Sequence, residues 1–164
     1  MPHKLNKSLA YPTRRVITCL PVFYRANDVD TRMKPHRITV VDDDPDFLFI
    51  VHRLLLRLYP KSSVATFSNA EDALIHILDT GTEFLITSQF MRQMTGTELI
   101  RELRLCKCTA PIVLISSNPL LESEALDAGA TEFLHKNIAP KLLEAHIRAL
   151  VDESQDKGAD VGLK

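Results

Sequence analysis

Glycine is scarce, at five residues among 164, and no glycine-rich phosphate-binding loop is present. Collagen-like and low-complexity chains are excluded with it. The longest apolar runs, such as Phe47 to Val51, fall far short of the ~20 residues that a membrane span requires, so no transmembrane helix is expected. There are three cysteines, one in the N-terminal stretch and two as Cys106 and Cys108. They supply neither a disulfide framework nor the four ligands of a structural zinc site, and a reducing, cytoplasmic setting is the default expectation. The chain does have 45% hydrophobic and 25% charged residues, the composition of an ordinary globular protein. Its length fits one domain of the usual ~100–200 residues.

The net charge of −1 conceals an asymmetry. Residues 1–36 hold seven basic and two acidic residues, while the remainder holds 13 basic and 19 acidic ones. An acidic body does not bind nucleic acid by counterion release, and the basic stretch shows no folded DNA-binding motif. No nucleic-acid partner is expected.

Residues 1–36 have no sustained period and are punctuated by Pro2, Pro12, Pro21 and Pro35. Arg14-Arg15 precedes a short apolar run that Pro21 and Arg25 break, with no small-residue cleavage site, so secretion is not expected. The stretch reads as a tail, and Met33 as the start of the functional chain. Deleting residues 1–32 is therefore expected to leave the melting temperature almost unchanged. A loss of several degrees would show that the segment packs on the domain.

From Arg37 to Val151, two periods alternate. Ile38 to Val41 is a β-branched run of the kind buried on both faces. Phe47, Ile50, Val51, Leu54, Leu55 and Leu58 then recur at helical spacing until Pro60. Val64 to Phe67, Phe84 to Thr87, Ile112 to Ile115 and Glu132 to His135 read as four more strands. Between them lie helices opened by Ser68 with Glu71 and by Thr95 with Glu98, two capping-box signatures, and a short helix from Leu120 to Asp127. A last helix starts near Pro140 and carries Leu143, Ile147, Leu150 and Val151, leaving residues 152–164 as a polar tail. This predicts an α/β (βα)5 fold, a doubly wound parallel five-stranded sheet, with its site beyond the carboxyl ends of the strands.

Asp42, Asp43 and Asp44 stand after the first strand, Ser88 after the third, Ser116 and Ser117 after the fourth, and Lys136 after the fifth. Adjacent carboxylates are costly to hold together without a cation, and oxygen ligands favour Mg²⁺. The ordinary alternative is a solvated acidic loop. Carboxylates, a hydroxyl and an ammonium at neighbouring strand ends together suit a phosphoryl group bound through Mg²⁺. His52, His76 and His146 sit in helices with no second ligand at metal spacing.

The segment from about Arg37 to Val151 resembles the receiver domain of two-component response regulators, with a flavodoxin-like fold. The resemblance rests on Val40-Val41-Asp42-Asp43-Asp44-Pro45, on Ile112 to Ser117, and on Ala128-Gly129-Ala130 running to Lys136. It implies Asp42 and Asp43 as Mg²⁺ ligands, Ser116 and Lys136 as phosphoryl contacts, and Phe133 as the aromatic coupling the switch hydroxyl to the outer face. Phe133 has a simple packing role as its alternative.

The third strand departs from the pattern. The family ends it in an Asp acceptor, whereas Thr87-Ser88-Gln89-Phe90-Met91-Arg92-Gln93-Met94-Thr95-Gly96 keeps both methionines and the glycine but puts Ser88 at that position. No Asp or Glu lies between Glu83 and Glu98, so no register slip restores the acid. An unactivated hydroxyl is a poor nucleophile and a poor Mg²⁺ ligand, so the metal site is expected to be weak. Arg92 and Asn137 stand where the family usually has proline, and the loop after the fifth strand is expected to take a different path. The 13-residue interval from Ser116 to Gly129 should trim the fourth helix.

These features imply a single-domain pseudo-receiver in phosphorelay signalling, not an enzyme, acting by protein–protein contact. Its implied partners are a histidine kinase or other signalling protein docked on the face of the fourth helix, fifth strand and fifth helix, where Arg148 and Glu144 are the expected probes, and a second copy in a homodimer. One alternative is an active receiver phosphorylated elsewhere, at Asp42 or Asp43. Another is a Mg²⁺-dependent phosphatase of the haloacid dehalogenase type, imitated by Asp42-x-Asp44, Ser116 and Lys136. That family needs a later acidic strand, and only 28 residues follow Lys136.

Overall fold

The structure, a computed structural model, describes residues 37–156, with side chains described through Val151. The N-terminal tail and the start near Met33 lie outside the described residues. Five strands, β1 (Arg37–Val41), β2 (Ser63–Phe67), β3 (Phe84–Ser88), β4 (Ile112–Ser116) and β5 (Glu132–His135), form one parallel sheet in the order β2-β1-β3-β4-β5. The helices between and after them are α1 (Pro45–Leu58), α2 (Ala70–Thr80), α3 (Gly96–Leu105), α4 (Glu122–Ala128) and α5 (Pro140–Asp156). The strand order reverses at β1 and β3, the switch point where doubly wound sheets place their sites.

Strand side chains alternate between two cores. Ile38, Val40, Phe84, Ile86, Val113, Ile115 and Leu134 pack with Val51, Leu55 and Leu58 of α1 and Leu143, Ile147 and Leu150 of α5. Val41, Leu85, Ile112 and Leu114 face the other way, against α2, α3 and α4. Each fully buried Leu or Ile contributes roughly 1.5–3 kcal/mol, so these two layers carry the fold.

Helix starts are set by polar side chains. Thr95 and Glu98 make the expected capping box, with the Glu98 carboxylate accepting from Thr95 N at 2.8 Å. Those Thr95 donors hold the Glu98 carboxyl below its usual range. This contribution is present at neutral pH and fades only as pH falls through the depressed value. The second box does not form. Asn69, not Ser68, caps α2, accepting from Asp72 N at 2.8 Å and donating from Nδ2 to Asp72 Oδ2 at 2.8 Å. Asn is as good a cap as Ser, and Asn69 binds Asp72 twice, so the helix starts one residue later.

The interval after Ser116 holds a short fourth helix. A single 3-10 turn, Pro119–Leu121, leads into a seven-residue α4 that Gly129 ends in the left-handed region at φ 103°. α5 runs to Asp156, five residues into the expected polar tail. Among the described residues, no helix is long and apolar enough to cross a membrane.

Candidate functional site at the carboxyl ends of the strands

Parallel pairing brings the chemistry-bearing residues to one edge. Val41 pairs with Thr87 and Ser88 with Ile115, so Asp42, Ser88 and Ser116 end three adjacent strands. Ser116 pairs with His135, and Lys136 is the next residue.

The three aspartates take three different roles. Asp42 is fully buried, and its Oδ1 accepts from Asp44 N at 2.8 Å and from Lys136 Nζ at 3.0 Å. Its Oδ2 lies 2.8 Å from the same ammonium but off the line of a hydrogen bond, and among the described residues no other donor reaches it. Asp43 is exposed. Asp44 is the N-cap of α1, its Oδ1 accepting from Asp46 N at 3.0 Å and Phe47 N at 3.3 Å. Asp44→Ala should therefore cost about 1 kcal/mol in thermal or denaturant unfolding, without changing the pocket charge at Asp42.

Lys136 reaches the pocket despite Asn137. The turn after β5 closes through Ile138 N to His135 O at 3.0 Å, while Asn137 N donates to His135 Nδ1 at 3.2 Å. Lys136 Nζ also lies 4.8 Å above the centroid of the Phe47 ring. This cation–π contact was not expected from the sequence, where Phe47 reads only as part of an apolar stripe.

Ser88 is buried, and among the described residues its Oγ makes no hydrogen bond. The next residue is the occupied one. Buried Gln89 accepts from Thr97 N at 3.0 Å through Oε1 and donates through Nε2 to Thr97 Oγ1 at 3.2 Å, and Thr97 Oγ1 in turn reaches Glu124 Oε1 of α4 at 3.3 Å. This network ties the end of β3 to α3 and α4. Sequence reasoning missed it, because a Gln in a loop carries no periodic signal. Ser116 Oγ accepts from Asn118 N at 3.2 Å, a local turn contact. Phe133, opposite Leu114, is half-buried and packs against the core beneath α2, α3 and α4.

Among the described residues, no group of three or more His, Cys, Asp or Glu side chains converges as a metal site. Asp42 is shared with Lys136, Asp43 is exposed, and Ser88 adds no carboxylate. This set does not match the oxygen-rich cradle of a tightly held Mg²⁺. The helical histidines have ordinary partners: His76 Nε2 meets Thr80 Oγ1 at 3.2 Å, and His146 Nδ1 meets Glu132 Oε1 at 2.7 Å.

The expected docking probes lie toward α1. Glu144 Oε2 accepts from Arg57 of α1 at 2.7 Å, and its Oε1 accepts from Arg148 at 3.1 Å. The inward stripe of Leu143, Ile147 and Leu150 fixes the rotation of α5, and at about 100° per residue Glu144 and Arg148 fall on the α1 flank. The opposite flank carries His146, paired with Glu132 of β5, and the half-exposed Leu142.

Comparison with known proteins agrees with this architecture. The family model for the response regulator receiver domain matches residues 38–148. The chain is 31% identical over 129 residues to the response regulator MprA of a Mycobacterium strain (KMS), covering 77% of this chain and 55% of that protein. It is 26% identical over 110 residues to the two-component response regulator ARR14 of Arabidopsis thaliana, covering 66% of this chain and 29% of that protein. The chain thus spans about a third to a half of the length of these relatives. Among solved structures, the receiver domain of NtrX from Brucella abortus superposes with a TM-score of 0.64 at 24% identity, covering 70% of this chain and 98% of that one. The chemotaxis protein CheY4 of Vibrio cholerae gives 0.63 at 23% identity, covering 69% and 96%. These last two likenesses speak for the fold alone. With the matched segment running from β1 into α5, the chain belongs to the response regulator receiver domain family.

Proposed function

We propose that this receiver signals without aspartyl phosphorylation, as a pseudo-receiver that acts by binding a partner protein in the cytoplasm. The observation that carries the reading is Ser88, a largely buried residue that puts a hydroxyl at the end of β3, with no acid between Glu83 and Glu98. The alternative acceptors are poorly placed for the reaction. Asp42 is fully buried and paired with Lys136, and Asp43 is exposed. Any Mg²⁺ binds weakly, through these two carboxylates. Receiver domains are generally non-enzymatic signalling modules, and among the described residues no strand follows β5 to supply the acidic ligands of a phosphatase.

Receiver domains interact with histidine kinases and other signalling proteins. The docking face proposed here is that of α4, β5 and α5, where Leu126, Leu142 and the Glu132–His146 pair are accessible. The test uses a partner co-purified from native cells and then titrated against the pure chain. Affinity should be the same with and without acetyl phosphate and Mg²⁺, and Leu142→Asp should weaken it at least about tenfold without lowering the melting temperature. A phosphate-dependent affinity would contradict the reading. Sensitivity confined to Phe49, Ile50 or Arg53 would move the docking face to α1.

A further inference from the structure

We propose that Lys136 acts as an internal cation that takes over the charge-neutralising role of the metal in this pocket. This inference rests on the pseudo-receiver reading and explains how its pocket stays folded. Asp42 is fully buried, so water does not solvate its charge. The Lys136 ammonium lies within 3.0 Å of both carboxylate oxygens and 4.8 Å above the centroid of the Phe47 ring. Oδ2, buried and without an aligned donor, is the atom that a bare cation would satisfy, and Nζ supplies the charge there at 2.8 Å. The buried pair is neutral without any added ion. A Mg²⁺ entering the pocket has to displace the ammonium from Asp42 and from Phe47, and it gains no third carboxylate in return, since Ser88 offers a hydroxyl.

The experiment titrates Mn²⁺ into the full chain and into Lys136→Met, reading free ion by electron paramagnetic resonance and the melting temperature with and without millimolar Mg²⁺. Wild type should bind only weakly, and its melting temperature should hardly respond to Mg²⁺. Lys136→Met, with its buried carboxylate uncompensated, should bind at least about tenfold more tightly and become more stable when Mg²⁺ is added. Wild-type binding as tight as that of Lys136→Met, or binding by neither, overturns the proposal. If Lys136→Met does not fold, the Asp42→Asn/Lys136→Met double variant decides: recovery of a cooperative melt supports the proposal, and no recovery overturns it. Mn²⁺ binding by wild type as tight as that of Lys136→Met sinks this inference alone, whereas phosphate incorporation sinks the pseudo-receiver reading.

Discussion

Ser88→Asp should convert a chain that takes up no phosphate from acetyl phosphate into one that does, with Mg²⁺ affinity raised on the order of tenfold. The substitution places a carboxylate one step beyond the Val41–Thr87 pairing, beside Asp42 and within the row of strand ends that holds Ser116 and precedes Lys136. It restores a nucleophile that is ionised at neutral pH. It also offers Lys136 a second acid, relieving the competition between ammonium and metal for Asp42. Incorporation should stay partial, because Lys136 keeps its contact with Phe47 and Ser116 Oγ is engaged with Asn118 N. Intact mass and Mn²⁺ titration measure the two effects separately. If the variant gains neither metal affinity nor phosphate, Ser88 is not what disables the site.

Gly96→Ala should be the most damaging glycine-to-alanine change among the described residues. A Cβ at Gly96 would sit 2.1 Å from the Ser88 carbonyl oxygen and 3.2 Å from Gln89 Cα, both backbone atoms with no side-chain freedom to yield. The glycine is required by this close approach of α3 to the end of β3. Room for the methyl comes only by moving β3 away from α3, which stretches the Gly96 N to Gln89 O bond of 3.0 Å and strands the buried Gln89 amide now bound to Thr97. Overpacking and an unsatisfied buried amide together cost about 3 kcal/mol, or on the order of 10 °C in melting temperature. A thermal melt within two or three degrees of wild type would show that the two segments are not held this tightly. The expected loss also means that Gly96 belongs to the site's scaffold rather than to its chemistry.

The strands and helices were legible because their periods are strong. Ile38 to Val41 is buried on both sides, as its unbroken β-branched run required, and Leu143, Ile147 and Leu150 mark the buried stripe of α5. What the sequence left open was decided by competition between near-equal local options. Ser68 and Asn69 are both good caps, and the pair of bonds from Asn69 to Asp72 selected the later start. Three consecutive aspartates look alike in a string, yet one is buried, one is solvated and one caps a helix. Glu144 of α5 meets α1 through the Arg57 pair, a placement that depends on tertiary rotation and that the apolar period alone does not announce. The Phe47 face of Lys136 and the Gln89–Thr97 network join residues 89 and 8 positions apart, contacts that no local pattern announces.

The most direct test is the wild-type chain itself, incubated with acetyl phosphate and Mg²⁺ and followed by intact mass, with Ser88→Asp as the positive control. The prediction is that wild type shows no gain of one phosphate while the control does. A Mg²⁺-dependent gain in wild type, mapped to Asp42, Asp43 or Ser88, would contradict the account and make this an active receiver.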